Sequence, residues 1–528
     1  MNNEARTTPP SLFLLYGAIL CALTPWLITQ LNQSINVDLA FLTQSALYML
    51  DGLKMSQAYY DTNPPLSIII YLPAALMTKA ASMPVYDAVF LYSILWIALS
   101  TYLTFKCLKA IPEITQPQRH LIIALYIITN TLAAQLYLGE KDQLIALALV
   151  PFILAQYCLS RNKALPRFMQ NIVLGLGALM IMVKPHFYVL PAAMILHRAL
   201  TQKRISAFWD KDALFLIGGA ILYAVVLFVF FQDFLTIILP DIITFYASIK
   251  SPWVSYLCLI GLIIGSVLAT CSWLLPKQPQ KAATIFFLMF ILCLLPVYIQ
   301  GKGFFYQIFP ALVFLTLGLG LSMQTLLDGT IFKKTSPPIK GLLSIVLVCA
   351  LFITTFYTFL ARGKLALTHE EYKNSSLARL ITDTPDNHSF FMLNDSTEIT
   401  QQLAVYTGKP LASRFSSLWF LPMLVNAKKS GAAVGEQEHY AQKYGDMMAQ
   451  DFKKFSPEIL IIGRFNIGQK NDRYFHFIDF FSHYSPQFKN QLTHYNYDQT
   501  LSINQRDYFP GTLYPDTIVQ YDIYRRKK

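Results

Sequence analysis

Residues 64–77 read PPLSIIIYLPAALM, and whether this stretch crosses a membrane decides the topology of everything after it. It opens on Pro64 and Pro65, carries Pro73, and offers only a short apolar run. A helix needs about 20 such residues to span the hydrocarbon core. Loop charge supplies a second argument. If the stretch crossed, Lys106, Lys109 and Arg119 would fall outside, against the excess of Lys and Arg on cytoplasmic loops. If it rests on the outer surface, every later basic loop falls inside. The inner set is then Arg6, Lys106, Lys109, Arg119, Arg161, Lys163, Arg167, Arg198, Lys203, Arg204, Lys211, Lys277, Lys281, Lys333, Lys334 and Lys340. That is sixteen basic residues inside against six outside over residues 1–361.

The composition fits a polytopic α-helical membrane protein. Of 528 residues 54% are hydrophobic and only 14% charged, with a mean hydropathy of +0.42; soluble domains carry about a quarter charged residues. Spans are expected at 11–31, 86–108, 120–138, 143–160, 168–183, 186–198, 212–232, 254–276, 282–300, 303–323 and 341–361. The first reads as a span, not a cleaved leader. Eleven crossings put the amino terminus in the cytoplasm and the tail outside. The pair 168–183 and 186–198 is short, as for helices that meet a thinned bilayer or line a cavity. The net charge of +12 lies in short loops beside spans, which excludes nucleic acid as its explanation. All seven cysteines lie in or beside apolar runs, so the tail has neither a disulfide framework nor a thiolate metal site.

The first outer loop, 32–85, repeats Leu39, Leu42, Ala46, Leu47, Leu50 and Leu53 at helical spacing, opposite Thr43, Gln44 and Asp51. This predicts an amphipathic helix in the membrane interface, with Asp38 in its first turn, and a second surface helix after Pro65. The tail, 362–528, predicts strands at 389–393, 458–462 and 517–524 and helices at 375–382, 397–406 and 436–455, a small extracytoplasmic α/β domain. No glycine-rich phosphate loop opens any of its helices.

Ionisable residues gather on the outer side near the membrane surface: Asp38, Asp61, Glu140, Asp142, Lys184, His186 and Lys302. Each has a bland reading. A lone acid on a surface helix is usually just solvated, and the turn 139–143 needs polar residues merely to meet water. A lysine at a span end commonly snorkels. Together they suggest chemistry on a lipid-borne substrate. Carboxylates flanking one cavity could deprotonate a hydroxyl. Lys184 and Lys302, at tight breaks between spans, suit a phosphate or diphosphate, with Tyr306 as a hydrogen-bond donor. The histidines show no metal-ligand spacing, and no metal site is read here. The cofactor is unknown; the outer acids could hold a divalent cation, though nothing requires it.

The order of these features resembles the membrane-integral GT-C glycosyltransferases, in the branch of the protein O-mannosyltransferases and the lipid A aminoarabinose transferase. The likeness covers roughly residues 10–320. It rests on Asp38 soon after the first span, the stretch 59–66, the acidic turn with Glu140 and Asp142, Lys184 at a later break, and the aromatic segment 302–310. It implies a catalytic domain over 1–361 that passes a sugar from a polyprenyl-phosphate carrier to a lipid, polysaccharide or protein acceptor on the outer face of the cytoplasmic membrane, with inversion. Asp38 would be the general base, and Glu140 and Asp142 would line the acceptor or sugar pocket. Lys184, His186, Lys302 and Tyr306 would hold the carrier phosphate, and Asp61 would join the substrate site. A nucleotide sugar would instead need a cytoplasmic site.

Two other classes compete. A transporter or flippase of lipid-linked glycans would place its ionisable groups near the midplane and show two related halves, neither of which is legible. A non-catalytic scaffold would tolerate loss of Asp38.

Overall fold

The computed structural model describes residues 10–163, 165–247, 250–274, 278–327, 367–385, 388–394, 399–425, 434–464, 475–504, 508 and 518–527. The span expected at 341–361 lies outside them. Six helices among the described residues are long and apolar enough to cross a membrane: Val85–Lys109, Lys141–Ser160, Lys211–Phe230, Trp253–Leu274, Lys281–Gln300 and Phe305–Met323. Other expected spans form the helices Pro10–Asn32, Gln116–Thr131, Arg167–Val183 and Val189–Gln202. The segment 64–77 makes two short helices, Pro65–Ile69 and Leu72–Ala81, broken where Pro73 enters. Each is far below spanning length. The chain divides into two compact units, one of residues 1–31, 90–225 and 250–361, the other of residues 32–89, 226–249 and 362–528.

In the first unit, Lys141–Ser160 is the central helix, with 94% of its most apolar window buried against 11% for Lys211–Phe230. Both are apolar all round, so protein encloses the first and the second is left for lipid. Helix Arg167–Val183 lies against the centre at Gly177, where a Cβ would stand 2.1 Å from the Phe152 ring. Only glycine admits that approach.

Arg198, counted above with the inner loops, is fully buried. Its guanidinium donates to both oxygens of Asp212, at 2.7 and 3.1 Å, and to the Ala207 carbonyl at 3.2 Å. Gln156 of the central helix donates to Asp212 at 2.7 Å. Asp212→Ala should therefore cost up to about 3–5 kcal/mol, since it leaves the buried guanidinium with only the partly exposed Asp210 as counter-charge, 3.1 Å from its Nε. A double Arg198→Met, Asp212→Leu variant should recover most of it, read as thermal midpoints in detergent.

In the second unit residues 32–89, residues 226–247 and the described part of the tail pack together. A four-stranded sheet runs in the order β1 (Phe390–Leu393), β2 (Ile459–Arg464), β4 (Ile518–Arg526), β3 (Tyr495–Asn504). β1 pairs parallel with β2, and the other pairs are antiparallel. β1 and the apolar part of β2 are buried, whereas edge strand β3 is largely exposed. The expected tail helices form as Ser376–Thr382, Thr400–Thr407 and Val434–Phe455.

Helix Val37–Leu50 differs from the expected interfacial helix. Thr43 and Ser45 are as buried as Leu39 and Leu42, because Pro65–Ile69, Leu72–Ala81 and Thr400–Thr407 all pack on it. Of its polar side, Thr43 therefore faces protein, Gln44 is half-buried and Asp51 is exposed, paired with Lys79 at 2.5 Å.

Residues 226–249 form two wide helical turns, Phe234–Ile238 and Ile242–Tyr246, around Pro240. Here Asp241 is buried and accepts from Lys443 at 2.7 and 2.9 Å, from the Tyr444 hydroxyl at 2.6 Å and from the Tyr60 hydroxyl. Arg414 grips Asp451 through both carboxylate oxygens and donates to the Ser56 carbonyl at 3.0 Å, while its own carbonyl accepts from the Tyr60 amide at 2.8 Å.

Candidate functional site

Six site residues of the first unit, Glu140, Asp142, Lys184, His186, Lys302 and Tyr306, come from three connectors. In the turn before the central helix, Gly139 adopts φ +85°, a conformation that glycine tolerates best. Gln143 fixes this turn, accepting from the Gly139 amide at 2.5 Å and donating to the Asn130 carbonyl at 2.6 Å. Glu140 is then the residue before the helix and Asp142 falls in its first turn, where the dipole favours a carboxylate. Both acids are fully buried.

The second connector follows Arg167–Val183. Pro185 disfavours helical geometry in the residue before it, so Lys184 is extended and the helix stops there. Its ammonium reaches both oxygens of Asp142, at 2.6 and 2.9 Å. Beside them the ammonium of Lys141 stands 3.9 Å from Glu140.

Tyr306, in the short helix Phe305–Ile308, completes the cluster. Its ring centroid is 5.6 Å from the ammonium of Lys141 and 5.6 Å from that of Lys184. Both fall within cation–π range. Phe304 stacks on this ring at 5.4 Å, and Tyr137 meets it edge-on at 5.9 Å. Two lysines, two buried acids and a phenol thus share one place.

The third connector carries Lys302 between Gly301 at φ +62° and Gly303 at φ +83°. Ser251 ties it down, donating from its amide to the Gly301 carbonyl at 2.7 Å and from its hydroxyl to the Lys302 carbonyl at 2.9 Å. A Cβ on Gly303 would come within 3.0 Å of Ser251 and of the Trp253 ring. Lys250 caps helix Gln278–Gln300, its ammonium donating to the carbonyls of Ile299 and Gln300. Burial, and then the charge of Lys250, push the Lys302 ammonium down to about 8. Burial, then Lys184 and Lys250, lower His186 from the ordinary histidine range, so its imidazole is largely neutral at pH 7. Burial also lowers Lys184, against the pull of Asp142.

Asp38 and Asp61 belong to the second unit. The Asn36 side chain caps helix Val37–Leu50, accepting from the Asp38 amide at 2.9 Å and from Leu39 at 3.4 Å. Asp38 is half-buried, and among the described residues no hydrogen bond or ion pair holds its carboxylate. Asp61 is buried, and one of its oxygens accepts from the Asn63 amide at 2.9 Å and side chain at 2.7 Å, a turn leading into the two prolines.

Sequence reading passed over Lys141 as a site residue, and Lys250 and Asp241 altogether. The scarcity of outer lysines was the available signal for the first two. Among the described residues no three metal-type ligands gather.

The chain has the GT-C glycosyltransferase fold. The chain resembles the crystal structure of ArnT from Cupriavidus metallidurans in the apo state, with a TM-score of 0.51 at 12% identity, over 85% of this chain and 92% of that one. ArnT bound to undecaprenyl phosphate gives 0.45 at 14% identity, over 77% and 86%. The mycobacterial arabinofuranosyltransferase AftD, solved by cryo-electron microscopy, gives 0.45 at 12% identity, over 99% of this chain and 40% of that one. No protein family and no curated protein matches the chain.

Proposed function

We propose that this chain is a glycosyltransferase of the outer face of the cytoplasmic membrane, moving a hexose or pentose from a polyprenyl-phosphate carrier to a lipid, polysaccharide or protein acceptor. The observation that carries this reading is the Tyr306 cluster, a fixed group of ammonium donors at the breaks between helices of a GT-C fold. A lysine ammonium has three donor hydrogens. Asp142 takes up to two from Lys184 and aims the remainder.

In the proposed reaction Asp38 removes the proton from the acceptor hydroxyl, whose oxygen attacks the anomeric carbon. The bond from that carbon to the carrier phosphate breaks with inversion, and polyprenyl phosphate leaves. Lys184 and Lys302 neutralise the charge that grows on the leaving phosphate, a contribution of several kcal/mol where water is scarce. Tyr306 and neutral His186 donate hydrogen bonds to it. Asp142, held by Lys184, acts as a positioning residue, and Glu140 lines the sugar or acceptor pocket with Lys141. The engaged oxygen of Asp61 favours shaping of the 61–65 turn over contact with substrate.

Deleting the gene and profiling envelope glycoconjugates by mass spectrometry tests the reading: one class should lack a single sugar. An unaltered profile together with an accumulated lipid-linked glycan would support a transporter instead. The Lys302 ammonium is charged below its pKa of about 8 and is lost as pH rises through it. The apparent KM for the lipid donor should therefore climb several-fold between about pH 7 and 9, and Lys302→Arg should flatten that rise because arginine stays charged. A flat wild-type profile would remove Lys302 from phosphate binding.

A further inference from the structure

We infer that the tail positions the acid of the first outer loop: Tyr406 and Gln402, acting through Ile35, set where Asp38 stands. The inference rests on the base role proposed for Asp38. With no side-chain partner among the described residues, that carboxylate takes its place from its backbone, which the Asn36 cap starts into helix. The residue just before the cap is gripped at both ends by one tail helix. The Ile35 amide donates to the Tyr406 hydroxyl at 2.8 Å, and its carbonyl accepts from the Gln402 side chain at 2.5 Å.

The two gripping residues lie four apart on helix Thr400–Thr407, hence on one face. Tyr372 holds Gln402 from behind, its hydroxyl donating to the Gln402 side-chain oxygen at 3.2 Å, and its ring packs 4.8 Å from that of Tyr406. His369 hydrogen-bonds the Tyr406 hydroxyl at 2.8 Å and stacks on Tyr86 at 4.1 Å. One step earlier the Ser34 amide donates to the Leu367 carbonyl at 2.7 Å. Ile35, Gln402 and Tyr406 are all buried, so water does not compete for these bonds. A grip this close to an acid with no other side-chain anchor among the described residues converts small tail displacements into displacements of that acid, and misplacement by about 1 Å can cost ~100-fold in rate.

The test is made in the full chain, with membranes from the deletion strain supplying donor and acceptor and sugar transfer followed by mass spectrometry. Tyr406→Phe and Gln402→Ala should each lower kcat about tenfold or more, with donor KM unchanged, and speed hydrogen exchange of amides 35–39. Asp498→Ala, which breaks the exposed pair with Arg525 on the sheet, should leave all three readouts alone. Wild-type kcat in both grip variants overturns the inference, and so does an equal loss in Asp498→Ala. Sugar transfer by Asp38→Asn overturns the base role instead, a separate and distinguishable failure.

Discussion

Asp38→Asn should lower sugar transfer by about 100- to 10,000-fold, the contribution of a positioned general base, while the protein inserts and folds as before. The substitution nearly preserves shape and leaves the Asn36 cap intact, because that cap bonds to backbone amides and not to the carboxylate. Among the described residues no ion pair is broken, so little stability should be lost. The informative comparison is turnover against thermal midpoint: a large fall in the first with little movement in the second marks chemistry. Undiminished turnover would leave the acceptor hydroxyl without its assigned base.

Lys184→Ala should act on both. Its ammonium faces both oxygens of a fully buried carboxylate. Deleting it strands Asp142 in a low-dielectric site, at a cost of about 3–5 kcal/mol. Lys184→Ala should thus lower the melting temperature and sharply weaken binding of polyprenyl phosphate, measured by titrating the lipid into detergent-solubilised protein. Removing Asp142 as well, in Lys184→Ala, Asp142→Ala, should restore much of the stability and none of the lipid affinity. Recovery of both together would make the pair purely structural.

Legibility in the sequence tracked how local each signal was. Asp38 could be placed in a first turn because the apolar repeat that begins at Leu39 marks where the helix starts; the Asn36 cap is seen only in the structure. The strands at 390–393 and 459–464 showed through their apolar runs, which both faces of the sheet bury. β3 was passed over although Tyr495, Tyr497, Leu501 and Ile503 alternate with polar residues, because Gln499 interrupts the apolar positions where the pairing register shifts. Helix Val37–Leu50 was found, but the burial of Thr43 on its polar side was not: periodicity shows where the apolar stripe lies, not what packs on the opposite side. Arg198 was misjudged for the same reason, since loop-charge counting cannot see an acid fourteen residues away folding back onto it. Of the cluster, Lys184 and Tyr306 were grouped as phosphate-holding residues through the family resemblance. The fold, not their spacing, brings them within 5.6 Å. The grip on Ile35 joins residues 367 and 371 positions apart, and a single sequence pairs nothing at that range.

Asp241 carries one practical lesson. Its carboxylate satisfies two phenols and a lysine drawn from the far ends of the chain, and Arg414 likewise leans on the Ser56 carbonyl. Cut loose as a soluble fragment, the last hundred and sixty or so residues would leave Lys443 and Tyr444 without Asp241 and Arg414 without the Ser56 carbonyl, though its pair with Asp451 would remain. Ligand screens, antibodies and crystals are therefore better raised against whole protein in lipid nanodiscs than against the excised carboxyl-terminal piece.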